Sequence, residues 1–131
     1  MTRREPRWLG RLAVDEAHFH QVRAHGGPHG IRDENALEAA LAHPRHRWQY
    51  SPGSRLPELA AAYGFALTKD HPYVDGNKRT ALVVLVAFLG LNGVELTATN
   101  RQALEAMLAV AAGEMTETEV ADWIGTHSEV A

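Results

Sequence analysis

The stretch His71-Pro72-Tyr73-Val74-Asp75-Gly76-Asn77-Lys78-Arg79 runs directly into Thr80-Ala81-Leu82-Val83-Val84-Leu85-Val86-Ala87-Phe88-Leu89-Gly90-Leu91, and the rest of the chain is read around that junction. Every residue from Ala81 to Leu89 is apolar. A helix that is apolar on all sides belongs at the buried centre of a domain. Asn92-Gly93 stops it, and it begins near Asn77, which places Lys78 and Arg79 in its first turn. Cations are unfavourable there by roughly 0.3–1 kcal/mol, because a helix N-terminus carries about half a positive charge and several unpaired N–H donors. Folding alone gives no reason for them. A phosphate chain accepting hydrogen bonds from the Gly76-Asn77 backbone and from both side chains does.

Outward from this helix the chain reads as further short helices. Asp15 is placed to cap a first helix running to about His25, where Gly26-Gly27-Pro28 begins a loop. Asp33 caps a second, with Leu37, Ala40 and Leu41 on one face and its end expected before Pro44. In residues 45–55, Trp48 and Tyr50 alternate with polar residues and Ser51-Pro52-Gly53-Ser54 is turn chemistry, which predicts a short hairpin or flap. Pro57 suits the start of a third helix, faced by Leu59, Tyr63, Ala66 and Leu67 and ending at Asp70. Beyond Leu91, Val94 to Thr97 is briefly extended. Asn100 is expected to cap a fifth helix, and a Thr116–Glu119 capping box opens a sixth. The expected fold is all-α: a compact bundle of five to seven short helices around the buried central helix, with a small hairpin or flap, residues 1–131 forming one domain.

Composition narrows the function. A chain of 131 residues with 45% hydrophobic content can bury a core unaided, and the absence of Cys excludes disulfides and thiol catalysis. Met1 to Pro6 lead into no apolar run, and the stretch from Thr80 to Leu91 is too short to span a bilayer, so a soluble, cytoplasmic protein with no membrane contact is expected. A net charge of −3 argues against direct nucleic-acid binding. Arg3, Arg4, Arg7 and Arg11 make a basic start, whereas Glu114, Glu117, Glu119, Asp122 and Glu129 make an acidic end. The plain reading is two solvated surfaces; a basic partner on the acidic end is the other.

The candidate site residues follow from their chemistry. His71 carries an imidazole, the side chain best suited by type to take a proton from a hydroxyl nucleophile at neutral pH. Asp75 is the only acid in the motif; it can cap the helix and can hold Mg²⁺, which binds through one or two carboxylates plus phosphates and water. Gly76 permits close ligand approach, and Asn77 can cap the helix, donate to a phosphoryl oxygen or hold the loop open. Arg79 can bind phosphate bidentately while Lys78 acts as a movable point charge. In the expected flap, His43, Arg45, His46, Arg47 and Arg55 interleave with Trp48 and Tyr50, a composition suited to docking a substrate. His18, His20, His25 and His29 form no zinc pattern.

Residues 71–79 also resemble the central motif of the Fic/Doc family, His-Pro-Phe-x-Asp/Glu-Gly-Asn-Gly/Lys-Arg, with Tyr73 in place of Phe. Where the AMP-transferring branch has Gly after the Asn and a second Arg three residues past the first, this chain has Lys78 and Leu82, which resembles the death-on-curing toxin branch. The similarity takes in Gly26 to Asp33, Ala39 to Pro44 and Asn92-Gly93. The resemblance implies ATP and Mg²⁺, with His71 as general base, Asp75 as metal ligand, and Gly76, Asn77, Lys78 and Arg79 around the phosphates. It implies a toxin-type protein kinase acting on a Ser or Thr hydroxyl of a translation factor, elongation factor Tu being the family's target. No Ser/Thr-x-x-x-Glu-Gly/Asn motif of self-inhibited relatives is present, so an antitoxin segment that folds on binding is the expected restraint. AMP transfer by the same site, a nucleotide-binding module without turnover, and a metal-dependent nuclease are the alternatives.

Overall fold

The computed structural model describes residues 4–131; Arg3 of the basic start, with Met1 and Thr2, lies outside the described residues. In chain order the elements are α1 (Arg11–His25), α2 (Glu34–Tyr50), α3 (Leu56–Lys69), α4 (Asn77–Leu91), β1 (Val94–Leu96), α5 (Asn100–Ala111), α6 (Glu117–Thr126) and β2 (Ser128–Val130). Strands β1 and β2 pair antiparallel, Val94 opposite Val130 and Leu96 opposite Ser128, and bring the end of the chain back beside the end of α4. The class is therefore the all-α bundle that the periodicity predicts.

The helix at the centre is α3 rather than α4. Leu59, Ala60, Ala61, Ala62, Tyr63, Gly64, Ala66 and Leu67 of α3 are all buried, and α3 packs against α2, α4, α5 and α6. Small side chains allow this close approach. A Cβ at Gly64 would lie 2.8 Å from Leu85 of α4 and 3.4 Å from the Met107 sulfur of α5. Helix α4 buries Ala81, Val84, Leu85, Phe88 and Leu89, yet its opposite side, Leu82, Val83, Val86 and Ala87, faces an open groove. Periodicity cannot separate burial against the core from a face left apolar for a partner.

The expected hairpin or flap at residues 45–55 is not formed. Helix α2 continues through Pro44 to Tyr50, and only Ser51–Ser54 turn. An interior proline costs a helix roughly 3 kcal/mol, through a lost N–H and a ring clash, so the packing must offset it. Pro44 itself is buried, Trp48 packs against the core, His43 meets Glu117 at 2.7 Å, and Arg47 meets Glu117 and Glu58 at 3.0 and 3.1 Å. Leu37, Leu41, Pro44 and Trp48 form a helical stripe whose spacing was masked by the alternation of Trp48 and Tyr50. Of the basic residues expected in a substrate-docking flap, His43 and Arg47 thus serve helix packing and Arg45 lies 5.7 Å over the Trp8 ring, while His46 and Arg55 stay exposed. The same pairs take Glu117 out of the acidic C-terminal surface.

Two cap expectations also shift. Gly10, not Asp15, precedes the first turn of α1, and Asp15 sits inside the helix, paired with Arg11 at 2.8 Å. Thr99, not Asn100, caps α5, in a reciprocal box with Gln102. Asp33 and Thr116 cap α2 and α6 as expected. No helix among the described residues is long and apolar enough to cross a membrane.

Candidate active site

The loop between α3 and α4 carries residues 70–76. Its shape is set by side chains from three directions. Asn77, 3% exposed, accepts from the Tyr73 N–H through Oδ1 at 2.9 Å and donates to the Tyr73 carbonyl through Nδ2, also at 2.9 Å. These two bonds fix which end of the amide is which, and the remaining Nδ2 hydrogen points at His71 Nδ1, 3.1 Å away. The Asn77 amide is therefore committed to the loop: of the three roles open to it, holding the loop is the one this geometry uses, and Gly76 rather than Asn77 is the helix cap.

A second support comes from residues 27–33, between α1 and α2. Ile31 bridges to Tyr73, the N–H groups of Arg32 and Asp33 both donate to the Pro72 carbonyl, and Val74 N–H donates to the Gly30 carbonyl. The Arg32 guanidinium donates to the His71 and Asp70 carbonyls at 2.6 and 2.9 Å. His71 needs this, since it holds a positive φ of 50°, alone among the described non-glycine residues. A left-handed backbone at a bulky residue persists only where its surroundings over-determine it, and such residues cluster at functional sites. His71 itself is exposed.

The third support is α1. Asp15, His18 and Val22 follow one another on the face that meets the loop. Tyr73, buried beneath the loop, donates its hydroxyl to Asp15 at 2.6 Å, and the imidazole of His18 stacks on its ring at 3.7 Å between centroids and 6° between planes. Burial, then the Asp15 contact, holds the Tyr73 hydroxyl well above the usual phenol range. His18 Nε2 donates to the Asp75 carbonyl at 2.8 Å, and burial, outweighing that bond, pushes its pKa below the ordinary value. Gly76 turns with φ 79° against this surface; a Cβ there would sit 3.1 Å from Val22.

At the mouth, Asp75 is exposed, and its Oδ1 accepts from the Gly76 N–H at 2.8 Å. Its Oδ2 lies so close to Gly27 that a Cβ on that glycine would be 2.4 Å away. Lys78 and Arg79 stand in the first turn of α4, and neither forms an ion pair among the described residues. Asp75, Gly76, Asn77, Lys78 and Arg79 line an open cavity of about 240 Å³ together with Leu104 and Leu108 of α5. Arg79 and Leu104 also border a larger apolar groove of about 670 Å³ between α1, α4 and α5, so the two spaces adjoin. No cluster of three or more metal-ligating side chains occurs among the described residues. The single carboxylate of Asp75 fits a hard divalent ion whose remaining ligands are phosphate oxygens and water, the phosphates also offsetting the two neighbouring cations.

The sequence-derived residues His71, Asp75, Gly76, Asn77, Lys78 and Arg79 thus meet at one helix entrance. Four residues that support the site lie outside the sequence-derived site set: Asp15, expected only as a helix cap, Gly27, expected only as part of the loop after α1, and His18 and Arg32. The spacing of Asp15, His18 and Val22 along one face of α1 was the available signal for two of them.

The model of the Fic/DOC family matches residues 8–89, from the segment before α1 to the last turn of α4. The chain belongs to the Fic/DOC family. Among its relatives, the protein named Toxin Doc from Mycolicibacterium smegmatis (strain ATCC 700084 / mc(2)155) is 42% identical over 76 residues, covering 57% of this chain and 58% of that protein. The protein named Protein kinase doc of Escherichia phage P1 is 32% identical over 105 residues, 80% of this chain and 82% of its own length. The resemblance to the death-on-curing branch drawn from Lys78 and Leu82 agrees with both names.

Proposed function

We propose that this chain is the toxin of a toxin–antitoxin module and acts as a protein kinase, moving the γ-phosphoryl group of ATP to a Ser or Thr hydroxyl of a translation factor, elongation factor Tu being the family's candidate. The observation that carries this is the pair of cations Lys78 and Arg79 in the first turn of α4, which form no ion pair among the described residues and are followed one turn later by Leu82 instead of an arginine. Two cations on a helix N-terminus give a strong polyanion site. The side chain of Lys78 occupies space that a glycine would leave for a phosphate, and Leu82 cannot bind one. ATP seated with its γ-phosphoryl group next to His71 fits that arrangement better than ATP seated for attack at the α position.

In this reading the acceptor hydroxyl oxygen attacks the γ-phosphorus, the bond to the β–γ bridging oxygen breaks, and ADP leaves. His71 receives the hydroxyl proton. Its Nδ1 lone pair faces Asn77 in the resting geometry, which places the ring proton on Nε2, so the exposed imidazole must release the 3.1 Å Asn77 contact before taking a proton at Nδ1. Asp75 would hold Mg²⁺, which would supply neutralisation of the phosphate charge. Lys78 and Arg79 stabilise the charge that grows on the transferring group and on the leaving ADP. The apolar side of α4 beside Arg79 offers an antitoxin segment a groove in which an amphipathic helix can fold next to the site, the expected mode of restraint.

The test uses ATP labelled in one sample at the α and in another at the γ phosphate, incubated with the protein, Mg²⁺ and purified elongation factor Tu or a cell extract. Transfer of the γ label alone supports the kinase; transfer of the α label reverses the assignment to AMP transfer. Retention of the cellular effect by His71→Ala would instead support a binding module without turnover.

A further inference from the structure

We infer that His18, a buried residue of α1 outside the motif, is a positioning residue that sets the orientation of the Asp75–Gly76 peptide and, through it, of the Asp75 carboxylate. The inference rests on the reading of Asp75 as the metal-holding carboxylate. A carbonyl oxygen only accepts, so the 2.8 Å contact between His18 Nε2 and the Asp75 carbonyl fixes the imidazole as the Nε2–H tautomer. The peptide unit is planar and trans, so its C=O and the following N–H point in opposite directions. Drawing the Asp75 carbonyl toward α1 aims the Gly76 N–H outward, to the helix entrance. There it meets Asp75 Oδ1 at 2.8 Å, which holds that carboxylate in one rotamer while Oδ2 lies against Gly27.

The imidazole is itself held in register. It is 5% exposed, and the Tyr73 ring stacked on it at 3.7 Å is fixed by the bond from its hydroxyl to Asp15, three residues before His18 on the same helix. Rotation of His18 would break the stack and leave the Asp75 carbonyl without this donor. Groups behind a metal ligand that orient it change metal affinity or activity by about 10- to 100-fold when removed. The same range is expected here, although His18 touches neither the metal nor the phosphates.

Two variants separate positioning from folding. His18→Phe keeps an aromatic ring against Tyr73 and removes the donor; His18→Gln loses the ring and places an amide N–H where Nε2 stands. Three quantities are measured on the full chain: the melting temperature, the hydrogen-exchange protection of the Gly76 amide by NMR, and the Mg²⁺ concentration giving half-maximal binding of the β,γ-imido analogue of ATP. For His18→Phe we expect a melting temperature within a few degrees of wild type, loss of Gly76 protection, and a Mg²⁺ requirement raised about 10- to 100-fold. His18→Gln is expected to recover most of the last two. Unchanged Gly76 protection in His18→Phe overturns the inference, whatever the nucleotide result. Equal loss of Mg²⁺ response in both variants also overturns it, because packing rather than donation would then be what matters. If wild type shows no Mg²⁺-dependent binding, the proposed metal role of Asp75 falls and the inference falls with it; a normal wild-type response with an unmoved His18→Phe sinks the His18 inference alone.

Discussion

Replacing Asn77 with alanine tests whether the motif asparagine acts on the protein or on the ligand. Its amide satisfies the N–H and the C=O of Tyr73, a residue 1% exposed, with both distances at 2.9 Å. An alanine reaches neither group, and water has little access to replace it. Leaving a buried polar group unpaired costs about 1–3 kcal/mol, so the two together cost about 2–6 kcal/mol. Set against a total stability of about 5–15 kcal/mol, that is a large fraction. The melting temperature should fall on the order of 10 °C, given roughly 2–8 °C per kcal/mol across domain sizes that bracket this one. Urea denaturation should show a lower midpoint with an unchanged slope. Nucleotide binding should weaken as well, as a consequence of a loop that no longer holds His71 and Asp75 in place. The reasoning is refuted if Asn77→Ala unfolds within about 0.5 kcal/mol of wild type while nucleotide binding is lost, since the amide would then act on the phosphates.

Three further outcomes are expected. Lys78→Ala should raise stability by roughly 0.3–1 kcal/mol, because it removes a cation from a helix N-terminus, while abolishing most transfer activity; denaturation and label transfer measured on the same preparation check the opposed signs. Gly27→Ala places a Cβ 2.4 Å from Asp75 Oδ2 at a φ of 106°, so the carboxylate must turn away and Mg²⁺-dependent nucleotide binding should fall at least tenfold, with wild-type affinity counting against the metal role. The His43–Glu117 contact should show in the pH dependence of stability. Its Glu117 share exists above the ordinary carboxyl value of 4.5 and is lost as pH falls through the lowered folded value; its His43 share exists below the ordinary 6.5 and is lost as pH rises through the raised folded value. The stability gap between wild type and His43→Gln should accordingly be widest from about pH 4.5 to 6.5 and shrink toward pH 9; a gap that grows with rising pH contradicts this.

The all-α class and the position of residues 75–79 at the start of α4 were legible in the residues themselves because their causes are local. Caps at Asp33 and Thr116, the stop at Asn92-Gly93 and the apolar run from Ala81 to Leu89 depend on neighbours within one or two turns. The mismatch of Lys78 and Arg79 with their helix end is also local, and the polyanion proposed for it follows from charge alone. Tertiary structure decided what local chemistry leaves open. It carried α2 through Pro44, since Trp48, His43 and Arg47 find partners on distant elements that outweigh a broken helical bond. It put α3 at the centre and left one side of α4 uncovered, because an apolar surface does not state what it packs against. It turned the Asn77 amide inward to Tyr73 and brought His18 under Asp75 across 57 residues of chain, contacts that exist only once α1 has docked on the loop. Helical spacing shows that Asp15 and His18 share a face of α1, but it does not name the distant group that face meets, whereas the charges at a helix end are read from their immediate neighbours.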